Sequence, residues 1–378
     1  MPTTTRAAVL WNIGEDWKIE EVELDDPKST DVLVKMKVAG MCHSDEHAVT
    51  GDLPLALPVI GGHEGAGVVE AVGDQVTTLK PGDHVSMSFI PSCGRCKWCA
   101  TGRQYLCDEG AKLFNPGMMS DDRIAHHVKD PDGNMVPVGR YTQLGTFSEH
   151  VLVSENSLVK VDDDLPFGPI ALVSCGVATG FGAATKRAGT QPGENVAVVG
   201  IGGVGINSVQ GAAIAGAKRV IAIDPIEFKR EQAMAMGATH TYASMDEALL
   251  ALPELTWGDM CERVIVTVGV FHGTDLEKAM NLASKDGTIV ITGLSPMMEE
   301  NATLNSFMLS MMNKEIKGTV FGSTNPREAI PRLLSMYREG KLKLEELITR
   351  TYTLDEVNQG YQDLRDGKNI RGVIEFPD

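Results

Sequence analysis

Asn195-Val-Ala-Val-Val-Gly-Ile-Gly-Gly-Val-Gly205 is the stretch on which the fold turns. An apolar run of strand length, Asn195 to Val199, enters a glycine turn containing Gly200, Gly202, Gly203, Val204 and Gly205, and a helix-period segment follows from Ile206 through Ala217. Gly200 permits the tight turn, Gly202 lets the backbone approach a pyrophosphate, and Gly205 lets the helix pack on its strand, so that phosphate meets the positive helix end. A glycine-rich turn without a ligand is the competing reading. Against it stands Asp224, 19 residues after Gly205 at the end of the next apolar run, Arg219 to Ile223. There a carboxylate takes ribose hydroxyls and repels a 2′-phosphate, which favours NAD over NADP. Lys229 and Arg230 lie just beyond, where they either flank the adenosine ribose or are solvated helix charges.

Apolar runs alternate with Ala-rich helical segments from about Ala178, with further strands expected at Arg263 to Val268 and Thr288 to Thr292, the sign of βαβ units and a parallel sheet. Val196 to Ala217 carries no charge over 22 residues, but six glycines, Asn207, Ser208 and Gln210 make it a buried strand passing into a packed helix rather than a membrane span. The residues before about 175 read as short strands and turns: Asp31-Val-Leu-Val-Lys-Met-Lys-Val38 alternates, and Gly73-Asp-Gln75 and Pro81-Gly-Asp83 mark turns. Beyond Phe321, amphipathic helices are expected at Arg327 to Glu339 and Leu354 to Asp366 and a closing strand at Gly372 to Phe376, a part that rejoins the first domain. The expected division is 1–177 catalytic, 178–320 nucleotide-binding and 321–378 returning to the catalytic domain. The charged stretch Asp121 to Arg140 reads as a surface insertion.

Four of the seven cysteines, Cys93, Cys96, Cys99 and Cys107, fall within fifteen residues. One loop thus offers four thiolates to a tetrahedral zinc and leaves no position open, the pattern of a structural site. Cys42, His63 and Cys175 are scattered, and two cysteines with one histidine leave a fourth position for water or substrate, an open site suited to catalysis. The alternative is disulfides or ordinary buried thiols. An odd cysteine count and an N-terminus without a secretory pattern point to a reducing cytoplasm, where tight cysteine clusters bind metal more often than they oxidise. Cys261, at a strand entrance, reads as a core thiol.

With Asp+Glu at 51 and Lys+Arg at 34 the net charge is −17, which repels nucleic-acid and anionic lipid surfaces. At 378 residues, two domains with a cleft are expected. An open zinc site beside a nicotinamide points to hydride transfer to or from a carbonyl, with the metal as Lewis acid. Oxidation of an alcohol must also release a proton. Ser44 and His47 follow Cys42 closely and can pass it outward, the hydroxyl near the reacting oxygen and the imidazole reaching solvent. Without the ligand at Cys42 the bland readings hold: the serine caps a turn and the histidine is solvated.

These residues resemble the zinc-dependent medium-chain alcohol dehydrogenases over nearly the whole chain. The family signature reads Gly62-His63-Glu64, then Gly67, Gly73 and Val76, together with the four-cysteine loop, the Cys175-Gly-Val-Ala-Thr-Gly segment and the glycine turn. The resemblance implies a Rossmann doubly wound parallel sheet domain (α/β) plus a mainly β, GroES-like catalytic domain, and two zinc ions per subunit with NAD. It implies that Cys42, His63 and Cys175 bind catalytic zinc, that Glu64 lies behind the metal, that Asp45 steadies His63, and that Ser44 and His47 relay a proton through the ribose. His43 and Arg371 fall where basic side chains meet the pyrophosphate, and Thr179 where a residue touches the nicotinamide. A homo-oligomer, dimer or tetramer, is likewise implied.

Members acting on glutathione adducts of formaldehyde carry an acidic pair before the Gly-His-Glu motif and an arginine after the fourth cysteine, where this chain has Leu53, Leu55 and Ala111. Phe89, Phe147 and Leu294 are read as an apolar pocket for a hydrocarbon-bearing alcohol or aldehyde, Leu294 also flanking the cofactor; each aromatic has core packing as its alternative. The segment Gly110 to Tyr141 is most similar to the nicotinoprotein alcohol dehydrogenases assayed with N,N-dimethyl-4-nitrosoaniline, which implies NAD that stays bound and is reoxidised in place by a second substrate or redox partner. Two other readings are a formaldehyde dehydrogenase dependent on another thiol, and a zinc- and NAD-binding sensor with a dead site, which requires a lost ligand or relay group.

Overall fold

The computed structural model describes residues 3–53 and 55–377. The chain divides into two compact units, one of Met1–Cys175 with Asn325–Arg338 and Leu344–Asp378, the other of Gly176–Thr324 with Glu339–Lys343.

In the second unit six parallel strands form one sheet in the order His240–Tyr242, Arg219–Ile223, Asn195–Val199, Cys261–Val266, Ala283–Ile291, Glu315–Gly318. Asn195–Val199 lies at the centre and the chain runs outward first on one side of it, then on the other. That reversal is the switch point of a doubly wound sheet, the place where such folds bind dinucleotides. The central strands are apolar on both faces because helices cover them: Val196, Ala197, Val198, Ile221, Val264, Ile265 and Ile289 are all buried. The helix after the glycine turn runs Gly203–Ile214, three residues earlier than its pattern suggests, since Gly203 to Gly205 form its first turn.

The first unit is built on two sheets. One joins seven strands, with Asp31–Met41 paired to Glu64–Val72, His150–Ser154 and Arg371–Glu375. The other, six-stranded, carries Thr3–Leu10 and Lys18–Leu24. The expected surface insertion is not loose. His126–Lys129, Met135–Pro137 and Gly139–Arg140 are strands of this second sheet, and His126, Val128, Val138 and Arg140 are buried. Arg140 donates to the carbonyls of Gln143, Leu152 and Gly117, and Arg123 Nη2 lies 2.6 Å from the buried Asp31 carboxylate, so the charges that made the segment look solvated pin it down. The aromatic core of the unit sets Trp17, Phe147 and Tyr361 at 6.0 to 6.4 Å between ring centres. No helix among the described residues is long and apolar enough to cross a membrane.

Candidate functional site

Five elements of the first unit converge on one buried cluster. Asp31–Met41 ends where Cys42 caps the helix His43–Thr50; His63 immediately precedes the strand Glu64–Val72; Cys175 follows the helix Phe167–Leu172; and Arg371 opens the strand paired with Asp31–Met41. One donor atom each from Cys42, His63, Glu64 and Cys175 lies within 4.8 Å of the others, and all four side chains are buried. Gly40 has a local reason to be glycine, since a Cβ there would overlap the Glu64 carboxylate.

Asp45 Oδ1 accepts from His63 Nδ1 at 2.9 Å and from the Gly62 N–H at 3.2 Å. A carboxylate only accepts, so Nδ1 carries hydrogen and Nε2 is the ring's free donor atom. That Nε2 is buried without a hydrogen-bond partner. Burial works against a charged ring here, but the Asp45 carboxylate, seconded by Cys42, holds the His63 pKa well above the ordinary value. The two thiols share their protons unequally. A hydrogen bond from Cys175, against the cost of burial and with help from His63, lowers the Cys42 pKa well below that of a free thiol, and the same bond together with burial pushes Cys175 up. Arg371 Nη2 donates to Glu64 Oε2, both side chains buried; burial still raises the Glu64 pKa. An orphaned imidazole nitrogen, a thiolate and a second thiol with no disulfide are the soft, borderline donor set that zinc takes, and the zinc fits.

Cys93, Cys96, Cys99 and Cys107 also bring their sulfurs within 4.8 Å of one another, and none is in a disulfide. Backbone N–H groups of Cys93, Cys96 and Cys99 point at Cys107, Cys93 and Cys96 sulfurs at 3.4 to 3.5 Å, an arrangement that favours thiolates. The Asp108 and Cys99 backbone N–H groups bring the Cys96 pKa down to about 6, whereas burial pushes Cys99 up to about 12. Four cysteines fill a tetrahedron, so this centre is closed.

In the second unit Gly200 adopts φ +88°, and a Cβ on Gly205 would overlap the Gly200 carbonyl, whereas a Cβ on Gly202 would meet open space, the room a pyrophosphate needs. Asp224 Oδ2 accepts from the Ile201 N–H at 2.7 Å and Oδ1 from Ile226 at 2.9 Å, which fixes the carboxylate against the turn. Arg230 is drawn to the carbonyls of Asp224 and Pro225, while Lys229 is part-exposed on the same helix, Glu227–Ala235. Thr179 lies in the helix Gly176–Gly182 with its buried hydroxyl unpartnered, and Leu294 is 43 % exposed.

Several assignments change. Phe147 is wholly buried between Trp17 and Tyr361, so it is core rather than pocket wall; Phe89, part-exposed, stands edge-on to the His63 ring at 5.7 Å. His47 does not itself reach solvent. It is 2 % exposed and its Nδ1 lies 2.9 Å from Asp52 Oδ2. Ser44 Oγ lies 3.6 Å from Cys42 Sγ, at the start of the helix that carries His43 and His47, whose rings meet edge-on at 5.5 Å. Sequence reasoning missed Asp52, and also Tyr141, which stacks edge-on to His63 at 5.6 Å while donating its hydroxyl to the Ser44 carbonyl at 2.6 Å.

A doubly wound nucleotide-binding sheet, an open cysteine–histidine metal site and a closed four-cysteine centre together define a zinc-binding, NAD-linked oxidoreductase. Residues 28–163 match the alcohol dehydrogenase GroES-like domain and residues 203–339 the zinc-binding dehydrogenase domain. The chain is 51 % identical over 370 residues, 98 % of each chain, to the NDMA-dependent alcohol dehydrogenase of Amycolatopsis methanolica, and 46 % identical over 375 residues, 99 % of each, to alcohol dehydrogenase B of Mycobacterium tuberculosis. Among solved structures, an alcohol dehydrogenase zinc-binding domain protein from Burkholderia ambifaria superimposes with TM-score 0.91 at 29 % identity over all of both chains. Benzyl alcohol dehydrogenase from Acinetobacter calcoaceticus does so with TM-score 0.88 at 30 % identity, covering 99 % of this chain and 100 % of that one. The chain belongs to the zinc-dependent alcohol dehydrogenase family, and acts on alcohols with zinc and NAD.

Proposed function

We propose that this enzyme interconverts a hydrocarbon-bearing primary alcohol and its aldehyde with NAD that stays bound through turnover and is reoxidised in place by a second acceptor. The observation that carries this reading is the 51 % identity, end to end, with a relative described as dependent on NDMA. When bound, zinc supplies Lewis acidity toward the alcohol oxygen and the nicotinamide supplies hydride exchange. The residues of the chain do the rest. Cys42, His63 and Cys175 hold the metal with Asp45 aligning the imidazole, Glu64 and Arg371 balance charge behind it, and Phe89 offers an apolar wall. Ser44 takes the hydroxyl proton of the alcohol and His47 receives it. In the same proposal Asp224 holds the adenosine ribose, Lys229 flanks it, His43 and Arg371 meet the pyrophosphate, and Thr179 and Leu294 border the nicotinamide. A cytoplasmic homo-oligomer and an unidentified redox partner complete it.

Exhaustive desalting tests the proposal: NAD should remain at near one per chain and support alcohol oxidation when an artificial acceptor is added. A stripped protein that turns over only with added NAD would make it an ordinary dehydrogenase. Faster turnover of formaldehyde with a thiol than of a simple primary alcohol would support the thiol-dependent alternative instead.

A further inference from the structure

We infer that Asp52 is a positioning residue for the proton path, holding His47 as the Nδ1–H tautomer so that Nε2 is the ring's proton acceptor. The inference rests on the relay described above. Asp52 sits just past the left-handed Gly51 that ends the helix carrying His47, and this turn brings the carboxylate back beneath the imidazole, Nδ1 to Oδ2 2.9 Å. Thr50 Oγ1 donates to the same oxygen at 2.6 Å, which leaves that oxygen one direction in which to accept from the ring. The Thr50 hydroxyl, seconded by His47, lowers the Asp52 pKa, so the group is a carboxylate at neutral pH and can only accept. Nδ1 must therefore carry the hydrogen, and the lone pair of the neutral ring is on Nε2.

The consequence is electrostatic as well as geometric. His47 is 2 % exposed, and its neighbour His43, ring centre 5.5 Å away, offers no negative charge. When the Nε2 lone pair takes one proton the ring becomes imidazolium; Nδ1–H stays on Asp52, which remains a carboxylate and balances the new charge. A histidine with its other nitrogen tied to a carboxylate is the arrangement by which triads fix a general base in the right tautomer.

The test uses whole, zinc-loaded protein labelled with 15N-histidine, the His47 signals being assigned by their loss in His47→Gln. The wild type should show His47 protonated at Nδ1. In Asp52→Asn, whose amide can present an N–H to the ring, the signals should move toward the Nε2–H tautomer. The rate of alcohol oxidation should fall roughly tenfold or more with KM for the alcohol and the zinc content little changed. An Nε2–H tautomer in the wild type overturns the inference whatever the variant does, as does Asp52→Asn with unaltered tautomer and rate. Full activity in His47→Gln would instead sink the relay itself, a separate failure.

Discussion

Asp45 and His63, neither more than 2 % exposed, face each other with Oδ1 and Nδ1 2.9 Å apart, and the same carboxylate oxygen accepts from the Gly62 N–H. This one contact fixes which nitrogen of His63 meets the metal and the plane in which it does so. Asp45→Asn should keep the fold and weaken catalytic zinc binding by about 10- to 100-fold, the usual cost of losing such a partner. Zinc content after dialysis against graded chelator checks this, with the four-cysteine zinc expected to stay.

Removing a ligand outright should be more severe. Cys42→Ser and His63→Ala should abolish turnover while circular dichroism remains that of the parent, because the sheets around the cluster have apolar cores of their own. Undiminished activity in either variant would exclude this cluster as the reacting centre.

The closed centre predicts the opposite order of effects. Cys96→Ser leaves three thiolates on a loop whose only regular elements are short turns, so its zinc and its folding are coupled. Melting temperature and zinc content should fall before kcat does. A variant as stable as its parent would contradict a structural role.

His126 supplies a pH dependence. It is 2 % exposed, both ring nitrogens lack partners, and burial first, then Arg140, His127 and Arg123, holds its pKa well below the ordinary 6.5. Below about pH 6.5 the unfolded chain takes up a proton that the folded chain refuses, so stability is lost as pH falls from that value, by up to roughly 1.4 kcal/mol per pH unit. His126→Phe removes this dependence. Thermal midpoints of parent and variant should draw apart between pH 7.5 and 5.5, the parent losing more; parallel curves would show that the ring protonates in place.

The strands Asn195–Val199 and Arg219–Ile223 were readable residue for residue, because a buried parallel strand is a short apolar run between turn signals. Ala283–Ile291 begins five residues before its apolar part, since Ser284-Lys-Asp-Gly287 reads as a turn, and the edge strands His240–Tyr242 and Glu315–Gly318 carry too few apolar residues to show. Metal donors are legible because few residue types bind zinc. Tyr141 is not, for its bond to Ser44 spans 97 positions and leaves no local pattern. Phe147 shows the converse: an aromatic between two strands reads the same in sequence whether it lines a pocket or fills a core.

Anomalous diffraction at the zinc edge from crystals grown with zinc locates both metal centres. Two peaks per chain are expected, one bounded by Cys42, His63 and Cys175 and one inside Cys93, Cys96, Cys99 and Cys107. Density at the four cysteines with none at the first cluster, at full zinc loading, would contradict the account.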